Sequence, residues 1–187
     1  MQSNGLQKEN MSIKYLILVG GYGTLLIYAT FMYGTEGICF DVGNYIFPNV
    51  LEKYNISYMR GDIERGRLPK SEKFNVIIMT EVLEHFNFHP VPTLKKIYDT
   101  LAPGGTFFLS TPDADSIWGR TYKYYKSLSE IPTVDPNATW INDHIWQYNS
   151  TELRSILHKA GFKIKRFEIT THPTNMGYKH FNVWLTK

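Results

Sequence analysis

The sequence predicts an α/β fold, a doubly wound and mostly parallel sheet of seven strands that ends in an antiparallel hairpin. Apolar runs of strand length alternate with helical stretches over residues 13–110, which is typical of parallel strands joined by right-handed crossovers. The run FNVIIM at 74–79 is almost continuously apolar, as in a strand covered on both faces. The last two apolar runs are separated only by a loop, so we expect them to pair antiparallel.

Length and composition restrict the class of protein. A chain of 187 residues fits one domain, and folding at this size buries roughly 70% of the unfolded surface. With 43% hydrophobic and 20% charged residues, it is neither disordered nor collagen-like. Cys39 is the single cysteine, which excludes a disulfide scaffold and favours a cytoplasmic protein. The net charge is +3 and the basic residues are scattered, so no nucleic-acid partner is expected, and the oligomeric state stays open.

The first structured residues form an uncharged run. Residues 1–12 read as a polar tail, and a single domain is expected over 13–187, beginning with a strand at 13–19 and a helix at 24–33. Three glycines stand between these elements: Gly20, Gly21 and Gly23. The nineteen residues of 15–33 carry no charge and are long enough to cross a bilayer. Glycines at the centre weaken a helix, so the sequence predicts no membrane span.

Further apolar runs predict the rest of the parallel sheet. The helix over 91–101 places Leu94, Ile97 and Leu101 on one face, and the following APGG stops it. The remaining elements are strands over 37–40, 56–59, 74–79 and 106–110 and a helix over 44–54 with Pro48 in its first turn.

The segment 112–148 breaks this pattern, because it is rich in turn residues and in aromatic side chains. It leaves the sheet at the fifth strand, so we expect it to pass over the ligand site as a substrate-covering insertion. The alternative is a small satellite core under a long loop. The aromatic residues expected to form a wall against a sugar ring or aromatic acceptor are Trp118, Tyr122, Tyr125, Trp140 and Trp146. The chain ends with a helix over 152–160 capped by Ser150 or Thr151, and strands over 162–169 and 180–186.

Ligands of open α/β sheets bind outside the carboxyl ends of the strands. The glycine turn allows a ligand to approach the backbone, or it is simply a tight turn. Asp41, which ends the second strand, can accept both hydroxyls of a ribose, or cap a helix. Asp62 and Ile63 follow the third strand and can hold an adenine, or Asp62 is an exposed turn residue. The segment beginning Thr80–Glu81 follows the fourth strand, and its alternative interpretation is a helix start with solvated acids.

The order of these motifs carries a family resemblance. The succession LVGGYGTLL, ICFDVG, MRGDIE, FNVIIMTEVLEHF, LAPGGTFFLSTP and YNSTELRSILHKAGF resembles the class I methyltransferases that use S-adenosylmethionine, most of all the small-molecule and glycan-modifying branches. The resemblance covers roughly residues 13 to 187. It implies that Gly20, Gly21 and Gly23 border the methionine part of the cofactor and that Asp41 holds the ribose. It also implies that Asp62 and Ile63 face the adenine. Thr80 and Glu81 would line the reactive end of the cofactor.

The first glycine motif departs from the family pattern. Relatives carry an acid two residues before the first glycine of the turn, and Leu18 occupies that place when the turn is counted from Gly20. The turn can also be aligned on Gly21 and Gly23. Losing a charge-assisted hydrogen bond to the cofactor's ammonium group costs about 1.5–3 kcal/mol. A degenerate, non-catalytic binding module is therefore the alternative to an enzyme.

A hydroxyl acceptor needs a group that takes its proton, and histidine titrates in the right range. His85, after the fourth strand, is the first candidate, and His144, in the aromatic segment, is the second; the alternative for each is a structural histidine. Glu81, Glu84 and His85 also form a potential metal set. Because neighbouring residues on a helix point in different directions, the sequence favours no metal.

The sequence therefore predicts methyl transfer from S-adenosylmethionine to a small-molecule acceptor such as a sugar or a glycan precursor. A nicotinamide-dependent dehydrogenase shares the glycine turn and Asp41, but it does not explain EVLEH or the closing hairpin.

Overall fold

A computed structural model describes residues 13–19, 21, 23–33, 36–69, 73–116, 119–172 and 174–187. Gly20, Trp118 and the polar tail predicted over 1–12 lie outside these residues. The elements in chain order are β1 (Lys14–Leu18), α1 (Thr24–Tyr33), β2 (Glu36–Asp41), α2 (Pro48–Lys53), β3 (Ile56–Arg60), β4 (Phe74–Thr80), a 3-10 turn (Leu83–His85), α3 (Pro90–Thr100), β5 (Leu101–Pro112), a second 3-10 turn (Leu128–Glu130), α4 (Ser150–Lys159), β6 (Lys163–His172) and β7 (Asn175–Thr186).

The predicted sheet is confirmed. Its seven strands run in the order β3-β2-β1-β4-β5-β7-β6. The first five of these pair in parallel, and β7 pairs antiparallel with both β5 and β6. The strand order reverses between β1 and β4, because the chain builds outward from β1 on one side and from β4 on the other.

Both faces of the sheet are covered, as the apolar strands require. Leu16 and Leu18 of β1 point into the main core, whereas Tyr15 and Ile17 point into a smaller one. This alternation follows from the two-residue period of a strand. The smaller core lies under α1 and α2 and includes Cys39, which is buried.

Helix α1 matches its predicted bounds and has an unusual surface. It contains no acid in its first turn and no base in its last turn. Only part of it packs on the sheet, and four large apolar side chains are exposed: Leu25, Tyr28, Phe31 and Met32. Among the described residues, no helix combines the length and hydropathy needed to cross a membrane.

Two helices, α2 and α4, begin two or more residues from their predicted starts. α2 begins only at Pro48, because Asn44 accepts a hydrogen bond from the Ile46 N–H at 3.1 Å and Phe47, the residue before proline, is extended. α4 is capped by Asn149 rather than by Ser150 or Thr151. Asn149 and Glu152 form a reciprocal capping box, with bonds of 2.9 and 3.1 Å.

Three strands, β5, β6 and β7, extend at least three residues beyond a predicted end. β5 begins at Leu101, which pairs with Phe74 before a register shift that accommodates the glycines. The last two strands continue through polar residues. The connection between β6 and β7 is therefore shorter than the loop predicted over 173–177. Polar residues such as Thr170 and Thr171 give no apolar signal, which explains why the sequence pattern missed these extensions.

Candidate functional site

The segments that follow β1, β2, β4 and β5 meet at the carboxyl edge of the sheet, around the reversal between β1 and β4. This is the place where α/β sheets bind ligands. Gly21 and Gly23 lie there with φ values of 49° and 75°, in the left-handed region that glycine tolerates.

The Asp41 carboxylate joins two of these segments. Asp41 is 2% exposed, and its Oδ2 accepts a hydrogen bond from the Gly21 N–H at 3.2 Å. Its Oδ1 accepts one from the Gly43 N–H at 3.3 Å. The carboxylate lies where a ribose is expected, and it already holds the glycine turn against the end of β2.

No acid stands before the glycines in either alignment of the turn. Leu18 is fully buried in the main core. Val19, the corresponding residue when Gly21 is the first glycine, has a φ of 54° and donates its N–H to the Phe40 carbonyl at 2.8 Å. A β-branched residue is strained in this conformation. The departure noted in the sequence therefore coincides with a strained backbone.

Asp62 organises the turn after β3. Its Oδ1 accepts hydrogen bonds from the N–H groups of Glu64 at 2.8 Å and Arg65 at 3.1 Å, and its Oδ2 pairs with the Arg65 guanidinium at 3.3 Å. Ile63 is 6% exposed and packs in the main core. Asp62 thus supports the turn through both carboxylate oxygens, and a cofactor at this turn would meet Asp62 and the small exposed part of Ile63.

Glu64 is a buried acid that the sequence analysis did not single out. Its carboxylate accepts hydrogen bonds from the N–H groups of Asn87 and Phe88, each at 2.9 Å. Burial raises the pKa of this carboxyl, although the two N–H donors act in the opposite direction. Glu64 therefore ties the turn after β3 to the segment after β4.

Thr80 and Glu81 end β4 at the same edge, and both are exposed. Glu81 has a φ of 55°. Its Oε1 accepts a hydrogen bond from the Ser110 hydroxyl at 2.7 Å, and its Oε2 lies 3.0 Å from Nδ1 of His180. No sequence motif surrounds His180, but its position on β7 brings it here, next to the ring of Tyr178.

Glu84 is almost completely buried, with 1% of its surface exposed. Its Oε2 accepts a hydrogen bond from the Thr111 hydroxyl at 2.9 Å. Burial, and secondly the nearby Glu81, raise the pKa of Glu84 to about 8. Oε1 of the same carboxyl lies 4.0 Å from Nε2 of His85.

The two candidate histidines, 59 positions apart in the sequence, are in contact. The ring of His85 meets that of His144 edge to face, with centroids 4.6 Å apart. Nδ1 of His85 lies 3.0 Å from the Asp143 carbonyl oxygen. Burial, and then the neighbouring His144, lower the pKa of His85. His144 itself is exposed.

Glu84, His85 and His144 each offer one potential ligand atom for a metal ion, and the three atoms lie within 4.8 Å of one another. The expectation that Glu84 and His85 point apart is wrong. Consecutive residues of an α-helix diverge by about 100°. In the 3-10 turn that holds these two residues the divergence is about 120°, so it is the reach of the two side chains, not the turn, that brings their ligand atoms together near His144.

The predicted cover segment 112–148 is anchored to the residues that follow β3 and β4. Arg65 donates hydrogen bonds to the carbonyls of Asp135 at 3.3 Å and Ala138 at 2.7 Å. Asn87 exchanges two hydrogen bonds with the Ile141 backbone, at 2.7 and 3.1 Å. These bonds hold the segment against the carboxyl edge of the sheet.

The aromatic residues of this segment divide into two groups. Trp146 is 2% exposed and belongs to the main core, as does Tyr148, so Trp146 forms no part of an open wall. Tyr125 also packs against this core. Tyr122 and Trp140 are 46% and 49% exposed. The buried aromatic residues thus form a core, as the alternative interpretation expected, whereas Tyr122 and Trp140 remain accessible to a ligand.

Comparison with protein families matches residues 20–166 to a family model described as a methyltransferase domain. A comparison with curated proteins finds no match. Among solved structures, an S-adenosylmethionine-dependent methyltransferase from Mesorhizobium loti is similar, with 16% identity, a TM-score of 0.63 and coverage of 94% of this chain and 91% of that one.

Two further structures show the same fold. A methyltransferase from Methanosarcina mazei has 15% identity, a TM-score of 0.69 and coverage of 94% and 92% of the two chains. Human N-acetylserotonin methyltransferase in complex with S-adenosylmethionine has 19% identity and a TM-score of 0.55; the match covers 93% of this chain and 48% of the human one. At these identities the likeness concerns the fold.

Proposed function

This chain belongs to the methyltransferase-domain family, whose methyl donor is S-adenosylmethionine, and from this we propose that it is an active enzyme that methylates a small-molecule acceptor. The observation that carries the proposal is the hydrogen bond between Asp41 and Gly21 at the point where the strand order reverses. It brings a buried carboxylate and a glycine turn to the place where nucleotides bind in such sheets.

The proposed cofactor site follows the carboxyl edge of the sheet. The glycine turn lets the methionine part approach the backbone, and the carboxylate after β2 accepts the ribose hydroxyls. Accepting a ribose would supplement or replace the bonds from Gly21 and Gly43. The residues proposed for the cofactor are Gly20, Gly21, Gly23, Asp41, Asp62, Ile63, Thr80 and Glu81.

The proposed reaction is an in-line displacement. The acceptor oxygen attacks the methyl carbon, so a carbon–oxygen bond forms, the carbon–sulfur bond breaks, and the sulfonium becomes a neutral thioether. Alignment of the reactants supplies roughly 7–11 kcal/mol of such a barrier. In the metal-free protein, His85 or His144 takes the acceptor proton, since a neutral imidazole is the general base suited to this pH range.

The acceptor proposed is a hydroxylated ring such as a sugar or a glycan precursor. Two exposed aromatic side chains of the cover segment, Tyr122 and Trp140, support this choice. An aromatic face packs well against the apolar face of a ring, while hydroxyl groups reach polar atoms. The small net charge and the buried Cys39 favour a small-molecule reaction in the cytoplasm.

Isothermal titration of the chain with S-adenosylmethionine, and separately with its demethylated product, tests the proposal. We expect saturable binding of both at one site. A chain that binds neither ligand at millimolar concentration would contradict the proposed function. Once binding is established, a panel of hydroxylated acceptors assayed for formation of the demethylated product identifies the substrate.

A non-catalytic binding module is the second candidate, favoured by the absence of an acid at both Leu18 and Val19. An acid at position 18 would be buried in the core, so position 19 is the informative one. Aspartate tolerates the left-handed conformation better than valine. If the site has decayed, Val19→Asp should increase cofactor affinity; a working, rearranged site should gain nothing.

A further inference from the structure

Three side chains at the carboxyl edge, one acid and two histidines, form a cluster with the composition of a metal site. Glu84, His85 and His144 bring one carboxylate oxygen and two imidazole nitrogens within 4.8 Å of one another. Two histidines and one carboxylate form a common ligand set for divalent transition metals, including catalytic zinc.

His85 is hydrogen-bonded in the way that is usual for a histidine that binds a metal ion. Its Nδ1 lies 3.0 Å from the Asp143 carbonyl oxygen, which can only accept, so Nδ1 carries the proton. The lone pair is then on Nε2, which lies 4.0 Å from Oε1 of Glu84. Metal-binding histidines usually donate their other N–H to a carbonyl or carboxylate in this way.

Glu84 is also oriented so that one carboxylate oxygen can bind the metal ion. Its Oε2 accepts the Thr111 hydroxyl at 2.9 Å, which leaves Oε1 directed toward His85. A carboxylate that is 1% exposed is costly unless a cation or donors compensate for the lost water. Ligands bound tetrahedrally at about 2.0–2.1 Å lie roughly 3.4 Å apart, so only a small closure is required.

We infer that Glu84, His85 and His144 bind a divalent transition-metal ion, of the kind represented by Zn²⁺ or Co²⁺, in an open site that receives an oxygen of the acceptor. Catalytic sites of this type have three protein ligands and keep one position for water or substrate. His144 is exposed, so a small movement of its ring onto the ion displaces no core residue.

The catalytic role of this ion rests on the proposed methyl transfer. A bound divalent ion lowers the pKa of a coordinated oxygen by several units. The acceptor hydroxyl then releases its proton to water, and the resulting oxyanion attacks the methyl carbon as the carbon–sulfur bond breaks. In the metal-loaded protein the two histidines are ligands and do not take the proton themselves.

The test is a Co²⁺ titration of the full chain, without affinity tag, after chelator treatment and removal of the chelator. We expect one equivalent of Co²⁺ to give visible absorption of a four- or five-coordinate ion, and Zn²⁺ to displace it. Loss of an outer-shell partner typically weakens binding 10–100-fold, so removing a ligand with His144→Ala should weaken it by about 100-fold or more.

His158→Ala is the matched control, because His158 is also exposed but lies on α4 outside the cluster. It should leave Co²⁺ binding unchanged. Glu84→Gln, which keeps an acceptor for Thr111, serves as a second ligand variant. Absent binding at millimolar Co²⁺, or equal binding by the His144 and His158 variants, would overturn the inference.

The metal titration requires neither cofactor nor acceptor, so it separates the two proposals. Specific Co²⁺ binding with no binding of S-adenosylmethionine would overturn the proposed function and leave the metal site standing. Cofactor binding without Co²⁺ binding would do the reverse. His144→Ala should retain cofactor binding, since His144 is not among the residues proposed for the cofactor.

Discussion

Asp41 accepts a hydrogen bond from the backbone of Gly21, twenty positions earlier, and so connects the ends of two neighbouring strands. The carboxylate is buried and also accepts the Gly43 N–H. The carboxylate therefore supports the shape of the turn as well as any ribose bound there.

Asp41→Asn should weaken cofactor binding. The amide keeps one acceptor oxygen, loses the charge, and turns an N–H₂ toward one of the two backbone donors. Losing a charge-assisted hydrogen bond costs about 1.5–3 kcal/mol, or roughly a tenfold to hundredfold loss of affinity. Calorimetric titration with the demethylated cofactor measures it. Asp115→Asn, at an exposed residue of the cover segment, is the control, and equal affinities of the two variants would contradict the assignment.

Arg65→Lys should loosen the cover segment. Lysine cannot reproduce the fork that reaches Asp135 and Ala138 while pairing with Asp62. Loss of one such bond, at about 1.5–3 kcal/mol, corresponds to amide exchange at least about tenfold faster across 135–141. Hydrogen exchange by mass spectrometry measures this. The same exchange pattern in Arg65→Lys and in the exposed control Arg67→Lys would show that the anchor lies elsewhere.

Glu84 should make the metal-free protein less stable as pH rises. Its folded pKa of about 8 lies above the ordinary 4.5, so between these values the unfolded carboxyl is ionised while the folded one keeps its proton. The free energy of unfolding then falls with increasing pH, by at most about 1.4 kcal/mol per unit from this group. Above about pH 8 its contribution is constant.

Glu84→Gln should remove that part of the slope, because the amide does not titrate and still accepts the Thr111 hydroxyl. Urea unfolding of both proteins at several pH values between 5 and 8, with chelator present, gives the comparison. Parallel slopes for the two proteins would show that Glu84 ionises normally in the folded state.

Lys96→Met should destabilise the turn after β3. The Lys96 ammonium donates hydrogen bonds to the carbonyls of Ile63, Glu64 and Gly66 at 2.5, 2.7 and 2.9 Å. Removing a charged donor from these carbonyls should cost about 3 kcal/mol. Urea denaturation measures it, with the exposed neighbour Lys95→Met as the control. A loss below 1 kcal/mol, similar to that of the control, would mean that water replaces the ammonium.

The strands and their alternation with helices were predictable, because apolar periodicity reports which residues face a core. Helix α1 and the stop of α4 at Gly161, with a φ of 102°, follow directly from such local signals. Boundaries set by a single hydrogen bond were not predictable. Asn149 caps α4 through Glu152, yet Ser150 and Thr151 satisfy the same sequence preference.

The candidate site was predictable only where a residue ends a strand. Asp41, Thr80 and Glu81 are located by the strands before them. The partners that determine their chemistry are single polar residues far away in the sequence. Asp143 orients His85 across 58 positions, and His180 reaches Glu81 from β7. No local pattern marks such residues, so the convergence of His144 on Glu84 and His85 becomes visible only in three dimensions.

The strand order also has a consequence for how the chain folds. β1 pairs with β4 through Tyr15 and Val76, 61 positions apart, whereas Ile169 and Phe181 of the terminal hairpin are 12 apart. Closing the longer loop costs about 1.4 kcal/mol more in chain entropy. We expect the hairpin to form early and β1 to dock on β4 late, although β1 leaves the ribosome before the hairpin does. β1 can pair earlier with β2, since Tyr15 and its partner Gly37 are close in the sequence, so it is the edge of β1 facing β4 that stays unpaired until β4 has been synthesised.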